Sequence, residues 1–487
     1  MSTNTKEHQW QLENSYTALP ATMYSTQQPV PVAHPSLVYF NENLANELGI
    51  GFLSEDREKV VGYLSGNEIP DGAQPLAQAY AGHQFGHFTM LGDGRAVLLG
   101  EQVDPQGRRV DIQLKGSGQT PYSRRGDGRA TLYSMLREYL ISEAMHHLNI
   151  STTRSLAVIA TGEQVFRGDM QDGGVLTRTA ASHIRVGTFE YARNFGSKED
   201  LQALADYTIK RHYPALSAAE NPALELLKSV MDRQIALIVD WMRVGFIHGV
   251  MNTDNMSIAG ETIDYGPCAF MNAYNPATVF SSIDHQGRYA FGNQSPIAHW
   301  NLTVFANALL PLIAHDQEEA VALAQEVLEG FKAKFSERWY AMMFGKLGLV
   351  SSEVQEKALV DELLSLMETH KADYTQVFLA LTLDKAPDEP FFSSEEFDKW
   401  LQRWNEIIQQ NGGKAAAQEL MHQYNPKVIP RNHWVENVLV AAVEGNRKPF
   451  QQLLDILSVP YGKQSDKLQF QQVPQDFDDR YQTFCGT

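Results

Sequence analysis

The stretch that most constrains the fold is residues 248–267, HGVMNTDNMSIAGETIDYGP, which places one His, two Asn and two Asp among glycines. The apolar run at 235–242 before it predicts a buried helix that ends near Gly245. Residues 256–258 alternate in the manner of a short strand, and the tripeptide Asp-Tyr-Gly follows at 264–266. The predicted order is therefore helix, polar loop, short strand and Asp-x-Gly.

Asn255 and Asp264 are the residues of this window best suited to a metal ion. Their side-chain oxygens are ligands for Mg²⁺, a hard ion that takes few protein groups and keeps other positions for water and phosphate. Kinase-like folds place a catalytic loop and a metal-binding Asp in this same order. The alternative is a polar loop without a ligand between two core elements, and this window alone does not decide between the two.

Composition narrows the class of protein. The chain has 487 residues and a net charge of −18, which argues against a nucleic-acid binder because such a protein needs a basic face. The first residues, MSTNTKEHQWQLENSY, lack the apolar segment of a signal peptide, and no continuous apolar run approaches the length of a membrane span. Two cysteines exclude a disulfide-rich scaffold. We therefore expect a cytoplasmic enzyme with no nucleic-acid or membrane partner.

Residues 81–190 are predicted to form a small antiparallel β lobe that carries one helix and binds nucleotide. The predicted elements are strands at 96–103, 110–115, 155–160 and 174–179 and one helix at 130–148. The first two strands form a hairpin around the turn at 104–107, in which Pro stands second and Gly fourth. Lys115 ends this hairpin and is followed by a glycine loop.

The rest of the chain is predicted to be mainly helical. Residues 1–80 are expected to pack on the core as an extension, in which Asn41 caps a short helix at 42–48. Residues 191–385 are expected to form a helical lobe with the catalytic and metal loops, and residues 386–487 a helical extension and tail. The predicted helices lie at 200–245, 298–313, 316–345, 352–381, 394–411, 414–424 and 432–456. The fold class is α+β, with a bilobal protein-kinase-like arrangement.

Lys115 and Glu138 are the pair that a kinase-like fold uses to hold nucleotide phosphates. Lys115 ends a strand, and Glu138 lies 23 residues further on at the edge of the apolar stripe of the predicted helix. Taken alone, each residue is more often a solvated surface charge. The order of strand, glycine loop, helix and Asp-x-Gly along the chain favours the functional interpretation.

Two glycine loops and two arginines complete the candidate site. The sequence Gly-Asp-Gly-Arg occurs at 92–95 and again at 126–129, where glycines let backbone N–H groups approach a nucleotide closely. Arg178 and Arg185, with Lys115, are candidates for a local cationic pocket that holds a triphosphate in an acidic protein. Plain turns and arginines at the rim of a groove are the alternatives.

The catalytic loop departs from the pattern of small-molecule kinases with this fold, which read His-Gly-Asp, four residues and Asn. Here the match is His248-Gly249-Val250, with Asn255 in the metal position. Val250 cannot accept a proton, and Asp254 is the nearest carboxylate that can replace the missing base. The protein is therefore either catalytically inactive or carries out altered chemistry with Asp254 as the base.

Seven motifs together resemble the selenoprotein O family of protein adenylyltransferases. They are YAGHQFG at 80–86, LGDGR at 91–95, LKGSG at 114–118, RRGDGR at 124–129, HGVMNTDN at 248–255, IDYGP at 263–267 and DHQGRY at 284–289. The resemblance implies a kinase-like fold that binds ATP in a flipped orientation, so that the α-phosphate meets the acceptor. AMP then passes to a Ser, Thr or Tyr hydroxyl of a protein, and pyrophosphate leaves.

The resemblance also implies a role for each site residue. Phosphate contacts would come from Lys115, Arg178 and Arg185, with Glu138 orienting Lys115. Mg²⁺ or Mn²⁺ would bind Asn255 and Asp264, and Asp254 would accept the proton. The remaining residues expected around the nucleotide are Gly92, Gly94, Arg95, Asp127 and Gly128. Two alternatives remain open, an ordinary γ-phosphoryl kinase and an ATP-binding scaffold without catalysis.

Members of this family often carry a redox-active Cys or selenocysteine near the C-terminus. The resemblance therefore points to Cys485, whose possible intramolecular partner is Cys268, four residues after Asp264. A bond between them would tether the tail to the metal loop. Two free thiols in a reducing cytoplasm are the alternative.

Overall fold

The computed structural model describes residues 10–350, 354–462, 468–474, 477–478 and 480–484. An antiparallel sheet with helices on both faces forms one lobe, and α-helices form the other, so the α+β class is confirmed. The strands are β1 Leu12–Glu13, β2 Tyr24–Thr26, β3 Ser36–Phe40, β4 Leu76–Gln78, β5 Ala81–Gln84, β6 His87–Met90, β7 Ala96–Val103, β8 Arg109–Lys115, β9 Arg154–Phe166, β10 Met170–Ala180, β11 Phe246–Ile247 and β12 Ala269–Phe270.

The main sheet has eight strands in the order β2-β4-β7-β8-β10-β9-β3, with β1 paired to β7. The predicted hairpin is confirmed: β7 and β8 pair antiparallel, with Ala96 opposite Lys115 and Val103 opposite Arg109. Ile112 and Leu114 of β8 point to one face of the sheet and pack in its core. Because side chains alternate along a strand, Lys115 lies on the opposite face. That face carries the polar residues of the site.

The outer face of the sheet is covered by two helices from the N-terminal segment, α1 Glu42–Glu47 and α2 Arg57–Ser65. The predicted cap is confirmed, because the Asn41 side chain accepts a hydrogen bond from the backbone N–H of Leu44 at 3.0 Å. This segment also supplies β1 to β4. The described part of residues 1–80 therefore both packs on the sheet, through α1 and α2, and contributes four of its strands.

The inner face of the sheet packs on α3, Leu132–His147, which matches the helix predicted at 130–148. Thr131 caps it by accepting the N–H of Ser134 at 3.2 Å. Its apolar residues join one large core with the helical lobe, as Leu136 and Leu140 show by being fully buried. Glu138 is also buried, with only 3% of its surface exposed, and it faces the space between the lobes.

The second lobe and the C-terminal extension contain twelve helices among the described residues. They are α4 Val186–Phe195, α5 Lys198–His212, α6 Pro222–Arg243, α7 Gln294–Ile313, α8 Gln317–Glu329, α9 Phe331–Leu347, α10 Val354–Thr369, α11 Tyr374–Leu383, α12 Glu395–Gln410, α13 Gly413–Tyr424, α14 Asn432–Val443 and α15 Lys448–Leu457. The expectation of mainly helical structure after residue 191 is confirmed.

Four predicted helices are each divided in two, so their predicted lengths are wrong. The helix expected at 200–245 is interrupted by the 3₁₀ turn Pro214–Ala218, and that at 316–345 breaks at Gly330. The helix expected at 352–381 breaks where Lys371 adopts a φ of 51°, and that at 432–456 where Gly445 adopts a φ of 95°. A left-handed residue of this kind ends a helix because it turns the chain out of the helical path.

One helix, Phe291–Ile313, is long and apolar enough to cross a membrane by length and composition, with a mean hydropathy of 1.2. Polar residues interrupt its apolar run. Asn301 near its middle is fully buried and donates a hydrogen bond to the backbone oxygen of Met251 at 2.9 Å. The helix packs against α4, α6 and α8, so in this structure it is a core helix of the second lobe.

The strand predicted at 256–258 is wrong. Only Ser257 pairs, in an isolated bridge with Arg185. The N–H of Ile258 donates to the oxygen of Ile184 at 2.9 Å as part of this bridge, and the Gln234 side chain, not a strand, donates to the oxygen of Ser257 at 2.6 Å. The buried helix predicted before this window is confirmed as α6, which ends at Arg243.

Candidate active site

A cavity of about 1230 Å³ lies between the sheet and the helical lobe. It is large enough for a nucleotide, since small-molecule sites usually span roughly 300–1,000 Å³. The structure brings every predicted site residue to its wall. These residues are Gly92, Gly94, Arg95, Lys115, Asp127, Gly128, Glu138, Arg178, Arg185, Asp254, Asn255 and Asp264.

Lys115 is held between two carboxylates at the inner end of the cavity. Its Nζ lies 2.5 Å from Oε2 of Glu138 and 2.6 Å from Oδ1 of Asp264. The Lys115 side chain is only 7% exposed. Since β8 places Lys115 on the inner face and α3 places Glu138 opposite it, the contact follows from two local elements. The predicted pairing of these two residues is confirmed as a contact.

Two arginines join the same cluster. Arg178 of β10 donates to Oδ1 of Asp264 at 2.7 Å, to Oε1 of Glu138 at 3.2 Å and to Gln113 at 2.7 Å. Arg185, at the start of α4, lies 3.4 Å from Oδ2 of Asp264. Both arginines are buried. Three cations therefore converge on one carboxylate.

These cations control the charge of Asp264. Burial alone would raise its pKa, but Lys115, Arg178 and Arg185 together hold the pKa of Asp264 well below its usual range. The carboxylate is therefore ionised at neutral pH. Its backbone adopts a φ of 65°, a left-handed conformation that side chains other than glycine rarely take. Such strain often marks a functional position.

Hydrogen bonds hold the catalytic loop in the shape that presents Asn255. His248 is fully buried, and its Nε2 lies 2.9 Å from the backbone oxygen of Ile263, next to Asp264. The Asn255 amide nitrogen donates to the backbone oxygen of Val250 at 3.0 Å. This orients the Asn255 amide and leaves its oxygen for another partner. Val250 itself lines the cavity but offers no acceptor side chain.

Asp254 is a buried carboxylate at the cavity wall with one unpartnered oxygen. It is 8% exposed, and its Oδ1 has no hydrogen-bond partner in the structure. Burial raises the pKa of Asp254 to about 6, although Arg185 opposes the shift. The carboxylate is mostly ionised above that pH and is a stronger base than an ordinary Asp. Arg185 also fixes the loop by donating to the backbone oxygen of Asp254 at 3.0 Å.

The glycines of the two Gly-Asp-Gly-Arg loops are needed for the loops to pack on the chain segment between them, residues 118–123. A Cβ on Gly92 would collide with the Tyr122 ring, and one on Gly94 would lie 2.9 Å from the Tyr122 oxygen. A Cβ on Gly128 would collide with the backbone of Gly118, and Gly128 has a φ of 69°. Close packing of protein on protein thus accounts for these glycines, in addition to the expected approach of a nucleotide.

Asp127 lines the cavity, but its carboxylate is already engaged. Arg167 binds it with two hydrogen bonds of 2.8 Å, which holds the tip of the β9–β10 hairpin against the second glycine loop. The sequence motif gave no signal for this pair, because Arg167 lies outside every motif. Asp127 is therefore placed at the site but tied to the hairpin.

Asp93 is a site residue that the sequence reasoning missed, although it stands within the first Gly-Asp-Gly-Arg motif. Its carboxylate accepts hydrogen bonds of 3.1 Å from the Gln78 N–H and the Gln113 amide, and it lies 4.0 Å from Arg185. Burial raises the pKa of Asp93 to about 6. Its place inside a conspicuous glycine motif was the available signal.

The C-terminal tail contributes a second group of missed residues. Residues 480–484 line the cavity, and the Thr483 hydroxyl donates to the backbone oxygen of Pro267 at 2.6 Å. Thr483 also forms an isolated bridge with Ser281. Cys268 is fully buried as a free thiol, while its proposed partner Cys485 lies outside the described residues.

Asn255 and Asp264 fit a divalent ion by donor type. Within the described part of the chain, no group of three or more His, Cys, Asp or Glu residues is arranged to hold a metal. Asn255 and Asp264 would supply two side-chain oxygens, and a hard ion such as Mg²⁺ would take its other ligands from phosphate and water. The basic side chains that now contact Asp264, those of Lys115, Arg178 and Arg185, would then bind the phosphates.

Comparison with known proteins identifies relatives that match nearly the whole chain. The chain is 55% identical to the protein nucleotidyltransferase YdiU of Brevibacillus brevis, over 99% of both chains. It is 54% identical to the protein of that name from Bacillus cytotoxicus, over 100% of this chain and 99% of the other. A solved structure, a Toxoplasma gondii virulence factor with a protein-kinase fold and no enzymatic activity, aligns with 11% identity over 69% of this chain and 87% of its own. Its TM-score is 0.25.

The family comparison covers nearly the whole chain. The model described as "Protein adenylyltransferase SelO" matches residues 6–458, which include both glycine loops, the three-cation cluster and the catalytic loop. The resemblance inferred from the seven motifs is therefore confirmed. The chain belongs to the protein adenylyltransferase SelO family.

Proposed function

We propose that this protein is a protein adenylyltransferase that moves AMP from ATP to a Ser, Thr or Tyr hydroxyl of a protein and releases pyrophosphate. Its relatives carry the name protein nucleotidyltransferase, and its family that of a protein adenylyltransferase. An ordinary γ-phosphoryl kinase and an ATP-binding scaffold remain the alternatives.

One observation carries the proposal: Lys115, Arg178 and Arg185 converge at the inner end of the cavity, and Asp254 lines its wall. Three buried cations are a receptor for the polyphosphate tail of ATP. A tail anchored there leaves the α-phosphate to meet an acceptor. Displacement at phosphorus depends mainly on such positioning and on neutralised charge.

Residues 181–184 form the linker between the two lobes. Their contacts support a binding site for the purine of ATP that is not on this linker. Among the described residues that line the cavity, none comes from 181–184. Backbone groups of this linker are already engaged, since Ala181 donates to Glu261 at 3.0 Å and accepts from Arg211 at 2.7 Å. The N–H of His183 donates to Asp111 at 2.9 Å. A purine bound edge-on to this linker would therefore lie outside the cavity and meet few free groups.

Asn255 and Asp264 are proposed to hold Mg²⁺ or Mn²⁺. Such an ion supplies positive charge that neutralises phosphate oxygens. Lys115 and the two arginines would hold the phosphates, and Glu138 would keep Lys115 in place. The remaining wall of the nucleotide site would come from Gly92, Gly94, Arg95, Asp127 and Gly128.

Asp254 is proposed to accept the proton of the attacking hydroxyl. The hydroxyl oxygen forms a bond to the α-phosphorus, the bond from that phosphorus to the bridging α–β oxygen breaks, and pyrophosphate leaves with the electron pair. The proton passes to the carboxylate of Asp254, which lines the cavity. Its raised pKa, about 6, suits a base that works near neutral pH.

Labelled ATP separates the three functions. The protein is incubated with a protein acceptor, Mg²⁺ or Mn²⁺, and ATP labelled at either the α- or the γ-phosphate. Label from the α position, lost in Asp264→Ala, supports adenylyl transfer. Label from the γ position alone would identify a kinase, and no transfer with retained ATP binding would identify a scaffold.

The setting of the reaction is part of the same proposal. We expect the protein to act in the cytoplasm on protein acceptors, without nucleic acid or membrane as a partner. The net charge of −18 supports the first exclusion, because a nucleic-acid binder needs basic surface to neutralise phosphate.

A further inference from the structure

The reaction proposed above gives no role to three side chains that hold the residues just before Asp254. They are Tyr289, His83 and Glu190. Tyr289 belongs to the DHQGRY motif at 284–289, and His83 to the YAGHQFG motif at 80–86. Glu190 lies on α4. Together they bring three separate segments onto one turn of the catalytic loop.

Tyr289 fixes Asn252. Its hydroxyl donates to Oδ1 of Asn252 at 2.6 Å, and the same oxygen accepts the N–H of Phe85 at 3.1 Å. Tyr289 is held in turn by Asp284, whose Oδ2 accepts its N–H at 2.7 Å. Both Tyr289 and Asn252 are buried. The motif at 284–289 is therefore a brace behind the catalytic loop.

His83 and Glu190 fix Thr253, the residue that directly precedes Asp254. The backbone N–H of His83 donates to the Thr253 hydroxyl oxygen at 2.7 Å. The His83 ring is held by Glu190, with Nδ1 lying 2.5 Å from Oε1. Glu190 is 3% exposed, and Thr253 is fully buried. Burying a carboxylate costs free energy unless it is paired, and the Glu190 carboxylate is paired with the His83 ring.

The strand that carries His83, β5, also packs closely against Asp254, the proposed proton acceptor. A Cβ added at Gly82 would lie 2.5 Å from Oδ1 of Asp254. A Cβ added at Gly187, in the first turn of α4, would lie 3.4 Å from the Asp254 Cα and would collide with the Ala81 oxygen. The segments that hold Asn252 and Thr253 thus enclose Asp254 as well.

We infer that Tyr289 and the His83–Glu190 pair are positioning residues that aim the Asp254 carboxylate into the cavity. They touch neither the cation cluster nor the two oxygens assigned to the metal. Their loss should therefore slow the transfer step and leave ATP binding intact. This inference rests on the proposed function, because it assumes that Asp254 accepts the proton.

The test compares kcat and KM for ATP in four variants with α-labelled ATP and a protein acceptor. Tyr289→Phe removes one hydroxyl, and Glu190→Ala removes the carboxylate. We expect kcat to fall about 10- to 100-fold in both, since a small misplacement of a catalytic group has effects of this order. KM for ATP should stay within about twofold. Glu190→Gln keeps an oxygen that can accept from His83 and should retain most of kcat.

Tyr374→Phe is the matched control. It removes a hydroxyl on α11 that is also buried and also donates one hydrogen bond, in this case to the backbone oxygen of Met242 at 3.0 Å. It should lower Tm about as much as Tyr289→Phe and leave kcat unchanged. The inference is overturned if Tyr289→Phe and Glu190→Ala keep kcat, or if kcat falls only in step with Tm. Absence of α-label in the wild-type protein would instead overturn the proposed function.

Discussion

The ammonium nitrogen of Lys115 lies 2.6 Å from Oδ1 of Asp264, so the residue assigned to phosphate and the residue assigned to metal bind each other. Arg178 and Arg185 share the same carboxylate. A metal ion bound at Asp264 would therefore displace these basic side chains. The phosphates of ATP are anions that would then bind them, and nucleotide binding would be coupled to metal binding.

Asp264→Asn should remove the anion that neutralises these three cations. We expect the free energy of unfolding to fall by about 3 kcal/mol, because an uncompensated buried charge is left behind. ATP with EDTA should then raise the Tm of the variant more than that of the wild type, since its phosphates replace the lost carboxylate. Urea unfolding and thermal shift measure both effects. Asp232→Asn, in the exposed pair with Lys334, is the control and should change stability by less than about 1 kcal/mol.

Gly82→Ala should impair transfer without disturbing the fold elsewhere. The added Cβ would lie 2.5 Å from Oδ1 of Asp254, which forces the carboxylate to move. We expect kcat to fall about 10- to 100-fold with ATP affinity unchanged. Gly330→Ala, whose added Cβ would meet the Val327 oxygen at 3.3 Å, serves as the control. Equal kcat for both variants in the α-label assay would show that Asp254 does not need its observed position.

Glu261 offers a pH-dependent test of stability. Burial raises the pKa of the Glu261 carboxyl to about 8, from an ordinary value near 4.5. The charged form therefore opposes folding, and the resulting loss of stability begins above pH ~4.5 and is complete above the folded pKa. Gln at this position can still accept the N–H of Ala181. The stability of Glu261→Gln relative to wild type should thus rise between pH 5 and pH 9.

The control for this measurement is Glu225→Gln, which alters a partly exposed carboxylate on α6 that pairs with Lys228. Its stability relative to wild type should change much less over the same range. Urea unfolding at several pH values provides both curves. A constant difference between Glu261→Gln and wild type would mean that Glu261 is ionised in the folded protein without cost.

Much of the site was predictable because local patterns determine it. Lys115 closes a strand whose apolar and polar residues alternate, so its face was fixed by the period of two. Glu138 sits on a helix that begins soon after that strand. Asn255 and Asp264 stand in one short window. In each case the relevant element is continuous in sequence, and its pattern survives in the fold.

The errors arose where distant contacts decide the backbone. Residues 256–258 alternate like a strand, but the Gln234 side chain takes the oxygen of Ser257 and the segment forms only an isolated bridge with Arg185. The tail reaches the cavity through Thr483 and Pro267, which are 216 positions apart, and no local pattern encodes that contact. Arg167 reached Asp127 in the same way, through a hairpin tip that carries no motif.

Cys268 provides the last prediction. It is fully buried, and burial raises the pKa of its thiol to about 11, so the thiolate is scarce at neutral pH. In a Cys485→Ser variant, the folded protein should react with DTNB very slowly at pH 7.5, and one thiol should appear on unfolding. Thr483 nevertheless lies on Pro267, the residue before Cys268, which brings the described end of the tail to this thiol. Under oxidant we therefore expect non-reducing peptide maps of the wild type to contain a Cys268–Cys485 disulfide, absent from either Ser variant. Maps with only free thiols would rule out the redox tether and leave the tail held by its hydrogen bonds alone.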